Sequence, residues 1–486
     1  MIARRRLPAI ALAELRHEGS VTPPFFPVLA THLTKGIVMS MFRFLIALII
    51  ACVALCGQAR AAGPAPDLSR INHIIVIYLE NHSFDNLYGH FPGANGLVQA
   101  TQAPVQSDTN GKPYTTLPAI KDPRFPSDLP NSPFPIEAYV PSSEKIHDLV
   151  HRFYQNKAQI NSGRNDRFAA ISDAGGLVMG YYDGKKLPLW QYAQQYTLAD
   201  NFYQAAFGGS FINHFWLVCA CTPRYPDAPA DLQVLLDTEG QLLKDGAVTP
   251  DGFVVNTLQP TSAPYKSGTS LAKRLPLQTS PTIGDRLSAK GIGWAWYSGG
   301  WDDAASGHAN NDFQYHHQPF AYFGNFTEGS QGRLQHLKDE ADFIVGIDTG
   351  KLPAVVFYKP LGGFNEHPGY ADVLSGDQHI AGIIQRIEHS PIWKDAVIIV
   401  TYDENGGFWD HAAPPVKDRW GPGTRVPTLI ISPFAKHHFV DHTEYDTTSI
   451  LKLIETRYGL DALGTRDARA NNLSNALEDI AEPSSH

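Results

Sequence analysis

Three short stretches carry residues that could do chemistry together. The first is Glu80-Asn81, which ends the apolar run His73-Ile74-Ile75-Val76-Ile77-Tyr78-Leu79 and precedes His82-Ser83-Phe84-Asp85. The second is Asp403-Glu404, which ends Ala396-Val397-Ile398-Ile399-Val400-Thr401-Tyr402 and precedes Asn405-Gly406-Gly407. Carboxylate and amide oxygens are the ligands that magnesium, calcium and manganese prefer. Adjacent carboxylates in a low-dielectric cleft repel each other unless a cation stands between them. The two stretches together therefore predict a site for one divalent cation, with Ca, Mg and Mn left open. The third stretch is Gly208-Gly209-Ser210, which opens the apolar segment from Phe211 to Ala220. Glycines, a serine and then a run without breakers mark a helix start. Ser210 reads either as a plain helix cap or as a hydroxyl among open backbone N–H groups at the positive end of a helix dipole, where an anion would be held.

The elements that must position these residues are legible in outline. Neither apolar run alternates, so each reads as a strand buried on both faces of a parallel sheet. The polar residues then fall at its carboxyl edge, where α/β sheets bind ligands. Further strands are expected over 291–297, over 354–358 (ending near Asn365-Glu366-His367) and over 426–432, with a short strand or extended segment over 198–206. Helices are expected over 144–158, 187–196, 281–290, 377–389 and 447–458; in the fourth, Ile380, Ile383, Ile384 and Ile387 share one face. Strand and helix alternate, which predicts an α/β fold with a mainly parallel central sheet flanked by helices and long loop insertions. A helix over 144–158 would place His147 and His151 one turn apart on a common face. Residues 87–141 read as a long surface loop, 223–278 as an insertion or lid, and the polar tail after Ala462 as loosely held.

The 486 residues suffice for one large α/β domain or two ordinary ones, and a net charge of −9 argues against nucleic acid as a partner, because phosphate backbones call for clustered Lys and Arg. Near the start, Met41-Phe42-Arg43, an apolar stretch from Phe44 to Leu55 and Ala59-Arg60-Ala61 have the three-part layout of a secretory signal peptide. The expected organisation is an upstream extension over 1–40, a signal peptide over 41–61 and a single domain over 62–486. The apolar run is short for a spanning helix, so the mature chain is expected to keep no membrane span and to be secreted or periplasmic. Only Cys219 and Cys221 of the four cysteines lie beyond the leader. Two residues apart, they are expected to be buried thiols.

Glu80-Asn81-x-Ser83-Phe84-Asp85 resembles the E-N-x-S-F-D signature of the phospholipase C/acid phosphatase phosphoesterases. Gly208-Gly209-Ser210-Phe211-x-Asn213-His214 is similar to the nucleophile segment of their secreted acid phosphatase branch. Tyr402-Asp403-Glu404-x-Gly406-Gly407-x-x-Asp410-His411 is similar to the family's second metal motif. The resemblance runs over about residues 72 to 458. It implies an alkaline-phosphatase-like fold and metal ligands at Glu80, Asn81, Ser210, Asp403 and Glu404. It also implies catalytic roles for Ser210, His151, His316, His317 and His367, and substrate contacts from Asn213 and His411. His151 is favoured over His147 because Asp148-Leu149-Val150-His151 is similar to the family's Asp-x-x-His segment. The implied activity is hydrolysis of small phosphate esters by a metal-dependent phosphomonoesterase through a phosphoserine. The alternative is a phospholipase C acting on phospholipid head groups. In that branch the nucleophile segment is built around a threonine, and Ser210 departs from it. A serine hydroxyl suits the chemistry once a dication favours its alkoxide, and phosphoryl transfer then needs little beyond positioning and electrostatics.

Overall fold

The computed structural model describes residues 67–478. The expected upstream extension and signal peptide lie outside the described residues. The core is one eight-stranded sheet. In chain order its strands are β1 (His73–Leu79), β2 (Thr197–Ala199), β3 (Trp294–Ser298), β4 (Leu337–Asp339), β5 (Val355–Lys359), β6 (Ala396–Tyr402), β7 (Thr428–Ile431) and β8 (Phe439–Asp441). Their spatial order is β4-β3-β5-β1-β6-β7-β2-β8. Every pairing is parallel except the two made by β7, so the sheet is mainly parallel, as the alternation of elements requires.

β1 lies in the middle, and its neighbours explain the site. It pairs with β5 through Ile77↔Tyr358 and with β6 through Leu79↔Tyr402. β1 and β6 thus end level, so Glu80 and Asp403 emerge side by side at the carboxyl edge, while Lys359 closes β5 one residue earlier, opposite Tyr78, and its side chain reaches Glu80. Asp403 N donates to Leu79 O at 3.1 Å, which carries the pairing one residue past the strand ends.

The helices that matter here are α1 (Phe84–Tyr88), α2 (Phe153–Ile160), α3 (Pro188–Gln195), α4 (Ser210–Cys219), α5 (Val373–Glu388) and α6 (Thr447–Tyr458). All ten residues of α4 are buried, so the helix that opens on Ser210 is an interior element packed against α6. α5 buries the predicted stripe Ile380, Ile383, Ile384 and Ile387. α6 begins where Asp446 accepts from Thr448 N.

Three expectations are corrected, and one is refined. The helix expected over 144–158 exists only from Phe153; before it, Leu149 N donates to Asp148 Oδ1 and Val150 N to Asp173 Oδ1, both at 2.8 Å. Those carboxylates take the N–H groups a helix would use. His147 and His151 therefore share no helix face, and His147 is exposed. Cys219 and Cys221 form a disulfide rather than two thiols. Ala220 between them sits in the left-handed region (φ 47°), capping α4 and turning the chain back so that the two Cα atoms come within 5.1 Å, inside disulfide reach. Ser210 falls at the helix start as expected, as the first residue of α4 with Gly209 its cap. The tail is docked as far as it is described: Lys436 N donates to Ala476 O at 2.9 Å, and Leu473, Ala476 and Leu477 are buried.

Candidate active site

At the carboxyl edge of β1 and β6, Glu80, Asn81, Asp403 and Glu404 are wholly buried. Asn81 adopts φ 91°, strained for a residue with a side chain, and Gly406 packs directly on it. A Cβ at Gly406 would stand 2.2 Å from Asn81 O, and its own φ of 59° is also left-handed, so this close approach of the two motif loops requires glycine. Asp403 Oδ2 and Glu404 Oε1 have no hydrogen-bond partner, nor has Asn81 Nδ2, while Glu80 Oε1 is met by Lys359 Nζ at 2.6 Å and His317 Nε2 at 2.5 Å. Buried oxygens without partners are costly in any fold, and several converging from two strand ends are the donor set a hard cation takes. The residues present thus fit a divalent metal ion.

Ser210 opens α4 beside this nest. Its Oγ donates toward Glu80 Oε2 and Asn81 Oδ1, each 3.4 Å away. It lines a cleft of about 190 Å³ together with Glu80, His151, His316, His367 and Tyr370. His367 Nε2 lies 3.8 Å from Glu80 Oε2, and His151 Nε2 lies 3.7 Å from Glu404 Oε1. Their Nδ1 atoms face carbonyls, Leu149 O for His151 (2.5 Å) and Pro368 O for His367 (2.6 Å). Each ring therefore donates from Nδ1 and turns Nε2 to the cleft. His317 Nε2 approaches Glu80 Oε1 at 2.5 Å, with the His316 ring 4.6 Å from its own.

Burial and mutual repulsion decide the charges. Burial pushes the Asp403 carboxyl well above the usual range, helped by the charge on Glu80. Burial and then the charge on Asp403 do the same to Glu404. Burial holds His316 and His367 below the ordinary imidazole value and takes His317 down to about 4. Glu80 goes the other way: burial opposes its charge, but His317 and Lys359 outweigh it and hold its carboxyl well below the usual range. With His317 itself neutral near pH 7, Lys359 is the partner that keeps Glu80 ionised.

Two predicted substrate contacts do not reach the cleft. Asn213 is fully buried: its Nδ2 donates to Ala206 O, Gly208 O and Gly209 O, and its Oδ1 accepts from Ala206 N. It ties down the loop that presents Ser210. His411 donates from Nδ1 to Asp85 Oδ2 at 2.6 Å and lies beside Asn95, in a cluster with Asp410 and Arg425. Other residues escaped the sequence reading. Lys359 is fully buried against Glu80, and His214 is fully buried with its Nδ1 on Ser210 O. Val255, Asn256 and Thr257 bring the 223–278 insertion to the cleft wall. That insertion is fastened there: Asn256 Oδ1 accepts from Phe153 N, and Asp245 pairs with Arg152. His214 closes the Gly208–His214 motif; Lys359 and the insertion residues carry no signal in the sequence.

The strand-end carboxylates, the serine at a helix start and the ring of histidines define a hydrolase acting on phosphoric ester bonds. The chain belongs to the Phosphoesterase family, whose pattern matches residues 71–461. Among curated proteins it is similar to phospholipase C B of Mycobacterium tuberculosis, 23% identical over 508 residues that cover 96% of this chain and 87% of that protein. It is also similar to the hemolytic phospholipase C of Pseudomonas aeruginosa, 24% identical over 448 residues, 82% of this chain and 55% of that one. Among solved structures it is similar to a protein in the alkaline phosphatase superfamily from Vibrio parahaemolyticus, at 14% identity and a TM-score of 0.33, covering 60% of this chain and 65% of that chain. Among the described residues no helix is long and apolar enough to cross a membrane.

Proposed function

We propose that the protein is an exported acid phosphatase, a metal-dependent phosphomonoesterase that works through a phosphoserine on Ser210. The observation that carries this reading is Ser210 Oγ at 3.4 Å from both Glu80 and Asn81, in a cleft whose roughly 190 Å³ suits a phosphate and a small leaving group. Glu80, Asn81, Asp403 and Glu404 would hold one divalent cation, with Ser210 beside it. A cation there supplies positive charge that favours the serine alkoxide and offsets charge on the phosphoryl oxygens. Ser210 Oγ attacks phosphorus in line, the ester P–O bond breaks, and the departing alkoxide takes a proton. Water then attacks the phosphoserine and releases Ser210. His151 and His367 present Nε2 to the cleft, so a proton carried there can pass to the leaving group. Burial keeps the His367 value low, which makes that proton available on the acid side of neutrality.

The Cys219–Cys221 disulfide supports export, because such bonds persist in oxidising compartments. Mass spectrometry of the exported protein should find Ala62 at its start; any residue before Met41 would refute the signal-peptide reading. A second reading, phospholipase C action on phospholipid head groups, is favoured by the names of the curated relatives. Assays on p-nitrophenyl phosphate, an alkyl phosphate, a phosphodiester and phosphatidylcholine, before and after chelation and metal add-back, separate the two. The expected result is metal-dependent monoester hydrolysis with an acid optimum. Hydrolysis of phosphatidylcholine without monoester turnover would establish the second reading instead.

A further inference from the structure

Lys359 has no part in the chemistry above, yet its ammonium lies at the centre of the charged nest. None of its side chain is exposed; Nζ is 2.6 Å from Glu80 Oε1 and 3.9 Å from Asp403 Oδ2. It also donates to Leu79 O at 3.3 Å and faces the Tyr78 ring at 5.2 Å from its centroid. A buried ammonium is tolerated only when paired, and this one is paired with a candidate cation ligand. The same carboxylate belongs to another group of donors. Glu80, His214 and His317 each offer one ligand atom, all within 4.8 Å of one another. His214 Nδ1 lies 2.8 Å from Ser210 O and donates to it, which leaves Nε2 bare, buried and without a partner. A carboxylate with two imidazoles is a set that zinc accepts. Of the Glu80 oxygens, Oε1 is the one His317 Nε2 approaches, at 2.5 Å, and Lys359 Nζ already stands against it. The charges agree with this. Once a bound cation ionises them, Glu80, Asp403 and Glu404 bring three negative charges, which one dication and one ammonium offset; a second dication would leave a buried excess of positive charge.

We propose that Lys359 is the fixed counter-charge of the metal centre, restricting it to a single divalent cation by holding Glu80 Oε1 against a second ion at Glu80, His214 and His317. The proposal rests on the reading of Glu80, Asn81, Asp403 and Glu404 as a cation site, and the test separates the two. Wild type, Lys359→Met, Lys359→Arg and the double variant Lys359→Met/His214→Phe are stripped with chelator, saturated with zinc, freed of loose ion by gel filtration and analysed for bound metal. Wild type and Lys359→Arg should each hold one zinc per chain, Lys359→Met two, and the double variant one. With cobalt(II) as probe, Lys359→Met should gain visible absorption that the double variant lacks, a signature that a purely structural lysine would not move. One zinc in a folded Lys359→Met, or two in Lys359→Arg, overturns the role of Lys359 and leaves the first cation site standing. No zinc in wild type overturns the cation site and this inference together. The wild-type stoichiometry is an arm that needs no variant to fold: two tightly held ions there also overturn the proposal.

Discussion

Arg425→Met should destabilise the protein more than any change in the cleft. The Arg425 guanidinium is wholly buried, with Nε 3.1 Å from Asp410 Oδ1 and Nη2 3.1 Å from Asp85 Oδ1. Nη1 donates to Asn95 O and Asp200 O at 2.7 Å each, and the group lies over the Phe84 ring at 4.3 Å. Asp410 Oδ2 accepts from Asp85 N at 3.0 Å. The cluster clasps the loop after β1 to the loop after β6, the two segments that deliver Glu80-Asn81 and Asp403-Glu404. Methionine keeps much of the stem and removes the charge. Breaking a buried ion pair from one side costs about 3–5 kcal/mol. Each of the two carbonyls left without its donor adds about 1 kcal/mol or more. The expected loss is therefore about 5–7 kcal/mol, a large share of the roughly 5–15 kcal/mol that holds a typical domain together. Urea unfolding near neutral pH, with the slope unchanged, measures it. The loss should also depend on pH. Burial already raises the Asp410 carboxyl above its usual range against the pull of Arg425, and without Arg425 it rises further. A raised carboxyl contributes stability that is intact below its unfolded value and disappears as pH climbs through its folded value. The deficit should thus be largest at neutral pH, shrink in acid, and be largely relieved by adding Asp410→Asn. A loss under about 1 kcal/mol, the scale of an exposed ion pair, or a deficit independent of pH, would refute the reasoning.

Ser210→Ala should lose at least about three orders of magnitude in kcat with an unchanged melting curve; retention of more than about a tenth of the activity would rule out covalent catalysis by this hydroxyl. Glu404→Ala and Asp403→Ala should each weaken cation binding, since one carboxylate of the nest is lost; elemental analysis with full occupancy in both variants would dismiss the ligand assignment. Asp377, buried beside Glu366, has its carboxyl raised to about 7 by burial, and its Oδ1 accepts from Leu189 N at 2.8 Å. Its contribution to stability is therefore complete below the unfolded carboxylate value near 4 and lost as pH rises through about 7. Asp377→Asn keeps the acceptor and should flatten that loss in melting temperature against pH; an identical slope in both proteins would show that Asp377 does not titrate there.

The strands were readable because burial on both faces writes an uninterrupted apolar run, and β1 and β6 end within a residue of where their runs stop. The pairing of those ends was not readable. Glu80 and Asp403 are 323 positions apart, and only the register Leu79↔Tyr402 places them side by side. Lys359 shows the same limit: a lysine closing an apolar run reads as a solvated strand end, and only the neighbouring β1 buries it against Glu80. The 144–158 helix failed because Asp148 and Asp173 took backbone N–H groups that periodicity assumes are free. His151 nevertheless reaches the cleft, through a backbone that turns rather than through a helix face. Asn213 and His411 mark a deeper ambiguity. A motif position can be filled because the residue touches substrate or because it holds the loop that does, and an asparagine or histidine satisfies both needs with the same atoms. What separates the two is where the hydrogen-bonding atoms go. Those of Asn213 go to the backbone of Ala206, Gly208 and Gly209, and His411 Nδ1 goes to Asp85. The far ends of the motifs thus act on the protein's own loops, Asn213 on the glycines that present Ser210 and His411 on the segment that follows Glu80-Asn81.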